Sequence, residues 1–267
     1  MQIFNRPLTT VGRALFARQH WIAAHNMLRV YEQPVDAAKR YMSSRGSYPH
    51  TFRLRTPLGD VDATAWSGDD VLTINEIFCR LDYWIDPRDR VVVDFGSNIG
   101  ISALYFVTHA PDSFVYCYEP LLRNCDRLKD TLAKYASRFH LSAVAIAVSA
   151  GKASFGCEAT GRYGGIGREY PEQIEVDCLS ARDVISDVLN VHGRIDVLKI
   201  DIEGLEQEVL VALPRAQLEQ IEKIYVETHF DANPLVKTHT MRQYGGVAQF
   251  RRRLNDRSGP STSVVTP

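Results

Sequence analysis

The 267-residue sequence carries no excess of either charge, since 31 Lys and Arg stand against 32 Asp and Glu and leave a formal charge of −1. Without a broad basic face there is nothing to neutralise a phosphate backbone, so nucleic acid is not an expected partner. No stretch approaches the roughly 20 apolar residues that span a bilayer, which argues against an integral membrane segment. Five cysteines (Cys79, Cys117, Cys125, Cys157 and Cys178) include no C-x-x-C pair. That spacing is neither a redox motif nor a paired zinc site, and several of the thiols lie in apolar runs, so a reducing, cytoplasmic setting is expected. Acid is missing from the first 31 residues, which hold Arg6, Arg13, Arg18 and Arg29. Such a segment suits an organelle presequence. It equally suits an accessory helix with Trp21, Ile22, Met27, Leu28 and Val30 on one face, packed on the domain or on a second copy as a homodimer, and this second reading is preferred. Apolar periodicity is also lacking after Leu254, so residues 251–267 read as a flexible tail in which Arg251 to Arg253 end a solvated helix.

What is present is a regular alternation of strand and helix. After an N-terminal helical extension over residues 1–50, "FRLRTPLGDVDATAW" alternates apolar and polar residues about Pro57–Gly59 and predicts a hairpin. "DDVLTINEIFCRLDYW" has a helical period, with Asp69 or Asp70 as the cap. Val91 to Asp94, "FVYCYEP", "LSAVAIAV", "IDVLKIDIEG" and "IEKIYVETHF" predict five strands. Helices fall between them, and "KASFGCEA" with "QIEVDC" forms a small antiparallel excursion around a glycine-rich run. The pattern is that of an α/β domain over residues 51–250, a doubly wound and mostly parallel sheet.

The segment "VVVDFGSNIGISALYF" passes from a β-branched strand through a tight turn into a helix, at the place where open α/β sheets hold nucleotides. A triphosphate loop would need Lys followed by Ser or Thr after Gly100, and neither is there. A dinucleotide fingerprint would need glycine at 98 and 101, where the chain has Asn98 and Ile101. The remaining pattern, D-x-G-x-N-x-G over Asp94, Gly96, Ser97, Asn98 and Gly100, keeps an acid beside the ligand. A carboxylate there disfavours phosphate and suits a cation such as S-adenosylmethionine, which has both an ammonium and a sulfonium. Glu119, 23 residues past Gly96 at a strand end stiffened by Pro120, is placed to accept from ribose hydroxyls. Small residues such as Ala147 leave room for a flat adenine.

"VVVDFGSNIG", "YCYEP", "AIAVSAGKASF", "IDVLKIDIEGLEQEVL" and "IYVETH", in this order, resemble the FkbM-type family of S-adenosylmethionine-dependent methyltransferases over about residues 66 to 230. The resemblance implies a class I methyltransferase (Rossmann-like) fold and O-methylation of hydroxyls on sugars, polyketides and related secondary metabolites. It also places Asp70, Glu76 and Tyr83 near the cofactor. The acceptor would be a small molecule or carbohydrate.

In "VLKIDIEG", alternation puts Lys199, Asp201 and Glu203 on one side of a strand and its exit. Asp201 is expected to line the active site, touching the cofactor and acting in catalysis, unless Lys199 and one acid only form a buried ion pair. Glu203 either joins the catalytic site or caps the next helix. His229 could accept the acceptor's proton or be a structural histidine. No metal site is assigned, because Asp201, Glu203 and Glu227 match no ligand spacing. The glycine-rich residues 161–167, flanked by Arg162, Tyr163 and Arg168, are a surface loop or a lid. Two other functions stay open, namely N-methylation at the same cofactor site and a non-catalytic cofactor-binding module. A dehydrogenase is third.

Overall fold

The computed structural model describes residues 2–3, 6–7, 18–43, 46–158 and 164–253. Two helices, α1 (Arg18–Val30) and α2 (Pro34–Ser43), lead into the hairpin β1 (His50–Thr56) and β2 (Gly59–Ala65). Then come α3 (Gly68–Asn75) and a five-residue π-helix, Glu76–Arg80. The doubly wound part contains β3 (Val91–Phe95), α4 (Ile101–His109), β4 (Phe114–Tyr118), α5 (Leu122–Thr131) and β5 (Phe139–Ser142). It continues through β6 (Ala145–Ala147), β7 (Gly151–Cys157), β8 (Gly164–Ile166), β9 (Glu172–Ser180) and α6 (Ala181–His192). The last elements are β10 (Ile195–Ile200), α7 (Glu206–Ala212), α8 (Arg215–Leu218), β11 (Ile221–Val226), β12 (His239–Tyr244) and β13 (Val247–Arg252).

The main sheet has seven strands in the order β12-β13-β11-β10-β3-β4-β5. β5, β4, β3, β10 and β11 are parallel, whereas β13 and β12 add an antiparallel hairpin at one edge. The chain winds from β3 outward in one direction and then returns to lay β10 on the other side, so the order reverses between β3 and β10. That reversal opens a crevice at the carboxyl ends of the two strands, which is where a doubly wound sheet receives its ligand. The expected α/β class, with its helical and hairpin extension, is therefore the one observed.

β3 shows why the sheet forms there. All five of its residues are buried. Val92 packs on one face with Val115, Cys117, Val197 and the residues of α4. Val91, Val93 and Phe95 pack on the other with Ile185, Val188 and Leu198. Side chains alternate across a strand, so an unbroken β-branched run is what a strand covered on both faces requires.

Several expectations are corrected. The third predicted strand divides, because only β5 joins the main sheet while β6 pairs parallel with β9 in a second sheet of order β8-β7-β9-β6. Arg251 and Arg252 lie in β13 rather than in a helix end, where Arg252 Nε bonds Glu222 at 3.0 Å and Arg251 stacks over Trp84. Residues 254–267 of the predicted tail lie outside the described residues. α3 is capped by Ser67 and not by an aspartate; Ser67 Oγ accepts from Asp70 N, and Asp70 Oδ2 accepts from Ser67 N, a reciprocal capping box. α1 does not bury its predicted face as one unit. Met27 is buried and Ala23 beside it, but Trp21 and Leu28 are exposed, because a 3.6-residue period turns them away from Met27. All five cysteines are free and buried.

Candidate active site

The turn after β3 is shaped by close backbone approaches. Gly96 has φ +76°, and a Cβ there would lie 1.6 Å from the carbonyl oxygen of Asp201, so only glycine lets the β3 and β10 loops meet. Asp201 N donates to Phe95 O at 3.1 Å and ties the same two loops together. Asn98 holds φ +48°, a left-handed conformation that Asn tolerates better than most residues. Most amide groups in this turn bond within the protein. Gly96 N and Ser97 N both donate to Tyr118 O, Gly100 N donates to Ser97 O, and Asn98 N donates to Glu119 Oε2 at 3.0 Å. Gly96, Ser97 and Asn98 line the cleft, whereas Gly100 sits behind it against Leu128.

Glu119 is the second anchor. It is buried at the end of β4 and lines the cleft beside Pro120. Its Oε1 accepts from Leu121 N at 3.0 Å and Asn124 Nδ2 at 3.2 Å. Burial disfavours the charged form more than these donors restore it, so its pKa is pushed up to about 7.

Beneath the turn, Lys199 on β10 is buried among oxygens. Its Nζ lies 3.1 Å from Asp94 Oδ1 and 3.2 Å from Asp201 Oδ2, and it donates to Gly96 O at 2.9 Å. Burial alone would lower the lysine's pKa, but Asp201, Asp94 and Glu227 outweigh it and hold the ammonium above its ordinary range. Asp94 is fully buried, with Ser102 Oγ bonding its Oδ2 at 2.5 Å. It therefore lies under the cleft wall and supports the turn through Lys199, and does not face a ligand as the sequence reading expected. The ion-pair reading of Lys199 and the lining reading of Asp201 both describe the structure.

The cleft has a volume of about 290 Å³, near the lower end for small-molecule sites. Among the described residues, seven acids line it (Asp70, Glu76, Asp82, Glu119, Asp201, Glu203 and Glu227) against one lysine, Lys199. Three of these acids have structural duties. Asp70 caps α3, while Asp82 and Glu76 both pair with Arg80. Glu203 lines the cleft from a left-handed turn at φ +59°, and its carbonyl accepts from Arg168 Nε at 3.1 Å. The expected alternative of Glu203 as a helix cap is corrected, because Glu206 accepts from Ile202 N and Gly204 N there.

His229 is not brought to the cleft. β11 ends at Val226, the histidine side chain is 71% exposed, and its nearest acid is Asp231 at 3.8 Å. Ala147 is also off the wall, where Ala145 and Ile146 take its place. By contrast Asp70, Glu76 and Tyr83 all reach the cleft from the segment before the sheet. Sequence reasoning missed Thr73, Asp82, Asn124 and Phe155 as lining residues. Phe155 could have been found only by knowing that β7 folds back over β4's exit, which no local pattern encodes. Gly164 and Ile166 of the glycine-rich run form β8 and line the cleft. Residues 159–163 lie outside the described residues. Among those described, no group of three His, Cys, Asp or Glu is arranged to hold a metal ion, and no helix is long and apolar enough to cross a membrane.

Residues 94–257 match the family described as the methyltransferase FkbM domain, a match that runs past the end of the resemblance read from sequence. The chain is 27% identical over 199 residues to AMB antimetabolite synthetase AmbE of Pseudomonas aeruginosa, covering 58% of this chain and 9% of AmbE. It is 23% identical over 185 residues to Methyltransferase 1 of Beauveria bassiana, covering 61% of this chain and 74% of that protein. It is 25% identical over 176 residues to methyltransferase sdnD of Sordaria araneosa, covering 53% of this chain and 67% of the relative. The chain thus spans a small part of AmbE and about two thirds to three quarters of the two fungal methyltransferases.

Proposed function

We infer that this chain, which belongs to the methyltransferase FkbM domain family and so is an S-adenosylmethionine-dependent methyltransferase, methylates a hydroxyl of a small-molecule or carbohydrate acceptor that bears no anionic group beside the reacting oxygen. The observation that carries the acceptor part is the charge of the cleft, which among the described residues has seven acids, two of them paired with Arg80, against one lysine. A phosphate or carboxylate next to the acceptor would meet these carboxylates with little water between, at several kcal/mol per close contact by Coulomb's law in a medium of effective dielectric about 20. A neutral polyol would not.

The residues present fit the donor. That Glu119 lines the cleft supports its reading as the acceptor for ribose hydroxyls, the lining by Gly96, Ser97 and Asn98 supports a seat for the amino-acid end there, and the surrounding acids would complement a sulfonium and an ammonium. When bound, the donor supplies an electrophilic methyl group. The protein's part is to place the acceptor oxygen in line with it, and such positioning can supply much of the acceleration. The name of AmbE, an antimetabolite synthetase, supports a secondary metabolite as the acceptor class.

Methylation of an amine is the second reading, favoured by the same acids because they also attract an ammonium. The two separate in one experiment. Protein is incubated with methyl-labelled S-adenosylmethionine and matched acceptors, methyl α-D-glucopyranoside and its 2-amino-2-deoxy analogue among them. Label on hydroxyl acceptors supports the reading, and label confined to amines overturns it.

A further inference from the structure

Glu227 follows β11 directly and is the carboxyl of the cleft with the most unusual surroundings. Its backbone N donates to Ile200 O at 2.9 Å, which fixes it across from the end of β10. Tyr83 Oη lies 3.5 Å from Glu227 Oε2, and the buried Tyr83 ring is wedged against Tyr225 and lies 5.8 Å from the Lys199 ammonium. The Asp201 carboxyl is the charge that bears most strongly on Glu227. Asp201 is in turn ion-paired to Lys199 at 3.2 Å, whereas no ammonium or guanidinium lies within 4 Å of Glu227 among the described residues. An acid charge beside Glu227 makes its ionised form costly, so an ionised Glu227 takes up a proton readily.

We propose that Glu227 accepts the proton of the acceptor hydroxyl during methyl transfer, with Asp201 and Tyr83 as the groups that position it and set its basicity. The inference rests on the hydroxyl reading above. The groups that face Glu227 from each neighbouring element are few. They are Asp201 and Lys199 from β10 and its exit, Tyr83 after the π-helix, and Glu76 within that helix; Glu76 is paired with Arg80 and so adds only a distant charge. His229 is two residues along but turned to solvent beside Asp231.

A carboxylate of ordinary basicity is a weak partner for an alcohol, and proton transfer gains most when the base titrates near the working pH. The Glu227 pKa is raised well above the usual carboxylate range, first by the Asp201 charge. Tyr83 stays a phenol, because burial and then the Glu227 charge raise its pKa too, so it donates and never competes for the proton. In the step itself, the O–H bond of the acceptor breaks and its proton goes to the ionised Glu227. The oxygen forms its bond to the methyl carbon as the carbon–sulfur bond breaks, and that electron pair stays on sulfur. The proton then leaves through the solvent side of the cleft.

The test has one arm that needs no acceptor. In carboxyl-labelled protein, carbon NMR should show a glutamate that titrates above the usual range in the wild type and disappears in Glu227→Gln. In Asp201→Asn the same signal should move back toward ordinary values. A Glu227 signal in the normal carboxylate range overturns the inference whatever acceptor is used. The second arm is turnover on a hydroxyl acceptor identified by methyl labelling. Glu227→Gln should lower kcat about 100-fold or more and abolish the acidic limb of the pH–rate profile, as removal of a general base does, while S-adenosylhomocysteine affinity stays within about threefold. Tyr83→Phe, the variant least disturbing to packing, should shift that limb. A Glu227→Gln enzyme with kcat within about threefold of wild type overturns the proposal. Label found only on amines is a different failure and removes the hydroxyl reading, since the NMR arm still reports on the carboxyl pair.

Discussion

Lys199→Met removes the one buried cation that holds the site's loops together. The wild-type ammonium contacts Asp94 at 3.1 Å, Asp201 at 3.2 Å and Gly96 O at 2.9 Å. Methionine conserves most of the volume, so the packing loss is small and the charge loss dominates. Asp201 can turn to solvent, being 27% exposed, but Asp94 cannot, because it is fully buried, with Ser102 Oγ as its one remaining hydrogen-bond donor among the described residues. Breaking one side of a buried pair costs about 3–5 kcal/mol, chiefly through the stranded charge. For a chain of this size that is a fall of roughly 10 °C in Tm. The assay is urea unfolding of wild type, Lys199→Met, Asp94→Asn and the double variant. Since the penalty lies in the unpaired Asp94 charge, the double variant should be more stable than Lys199→Met alone, with a coupling energy of about 2 kcal/mol. The reasoning is refuted if the two single effects simply add, or if Lys199→Met costs under about 1 kcal/mol.

Other consequences follow from the same geometry. Gly96→Ala should abolish S-adenosylhomocysteine binding by calorimetry while leaving a folded circular dichroism spectrum, because its Cβ would collide with the Asp201 carbonyl at 1.6 Å. With a pKa of about 7, Glu119 is mostly ionised at pH 8 and mostly protonated at pH 6, so a ribose-accepting carboxylate predicts affinity about tenfold weaker at pH 6. The sign follows from the raised pKa, and in Glu119→Gln binding should be weak and flat over that interval. In folding the sense is opposite, since a raised carboxyl pKa stabilises the folded state most below the unfolded value near 4.5 and loses that contribution as pH rises through 7. Ser67→Ala should cost about 1 kcal/mol in urea unfolding through loss of the capping box, with binding unchanged. His229→Ala should leave kcat within about twofold, since the side chain is largely exposed and His229 is not among the residues lining the cleft; a loss of tenfold would show that the site extends to it.

Local chemistry decided how much could be read from the chain. The β3 run and the glycine turn were legible because a strand buried on two faces needs apolar residues at every position, and a left-handed turn needs glycine or asparagine. Glu119 was legible because its distance from the turn is set by one helix and one strand. Asp94 was misread for a physical reason. Alternation places a side chain above or below a sheet but does not tell whether a lysine on the adjoining strand intercepts it, and Lys199 does. His229 was misplaced because β11 stops three residues before it, and the bend after Val226 turns the ring away. The division of the third strand between two sheets was hidden as well. "AIA" reads as any small-residue strand, and only its long-range pairing with β9 assigns it to the second sheet. The cleft's acidity came from five separate segments that share no local motif, so it appeared only once the fold brought α3, the π-helix, β4, β10 and β11 together.

The most direct test of the account is a crystal structure of the protein with S-adenosylhomocysteine, preceded by calorimetry to show that the folded chain binds it. The ribose should sit within hydrogen-bonding distance of Glu119, with the amino-acid end along Gly96 to Asn98. A ligand found on another face of the sheet, or a folded protein that takes up no S-adenosylhomocysteine, would contradict it.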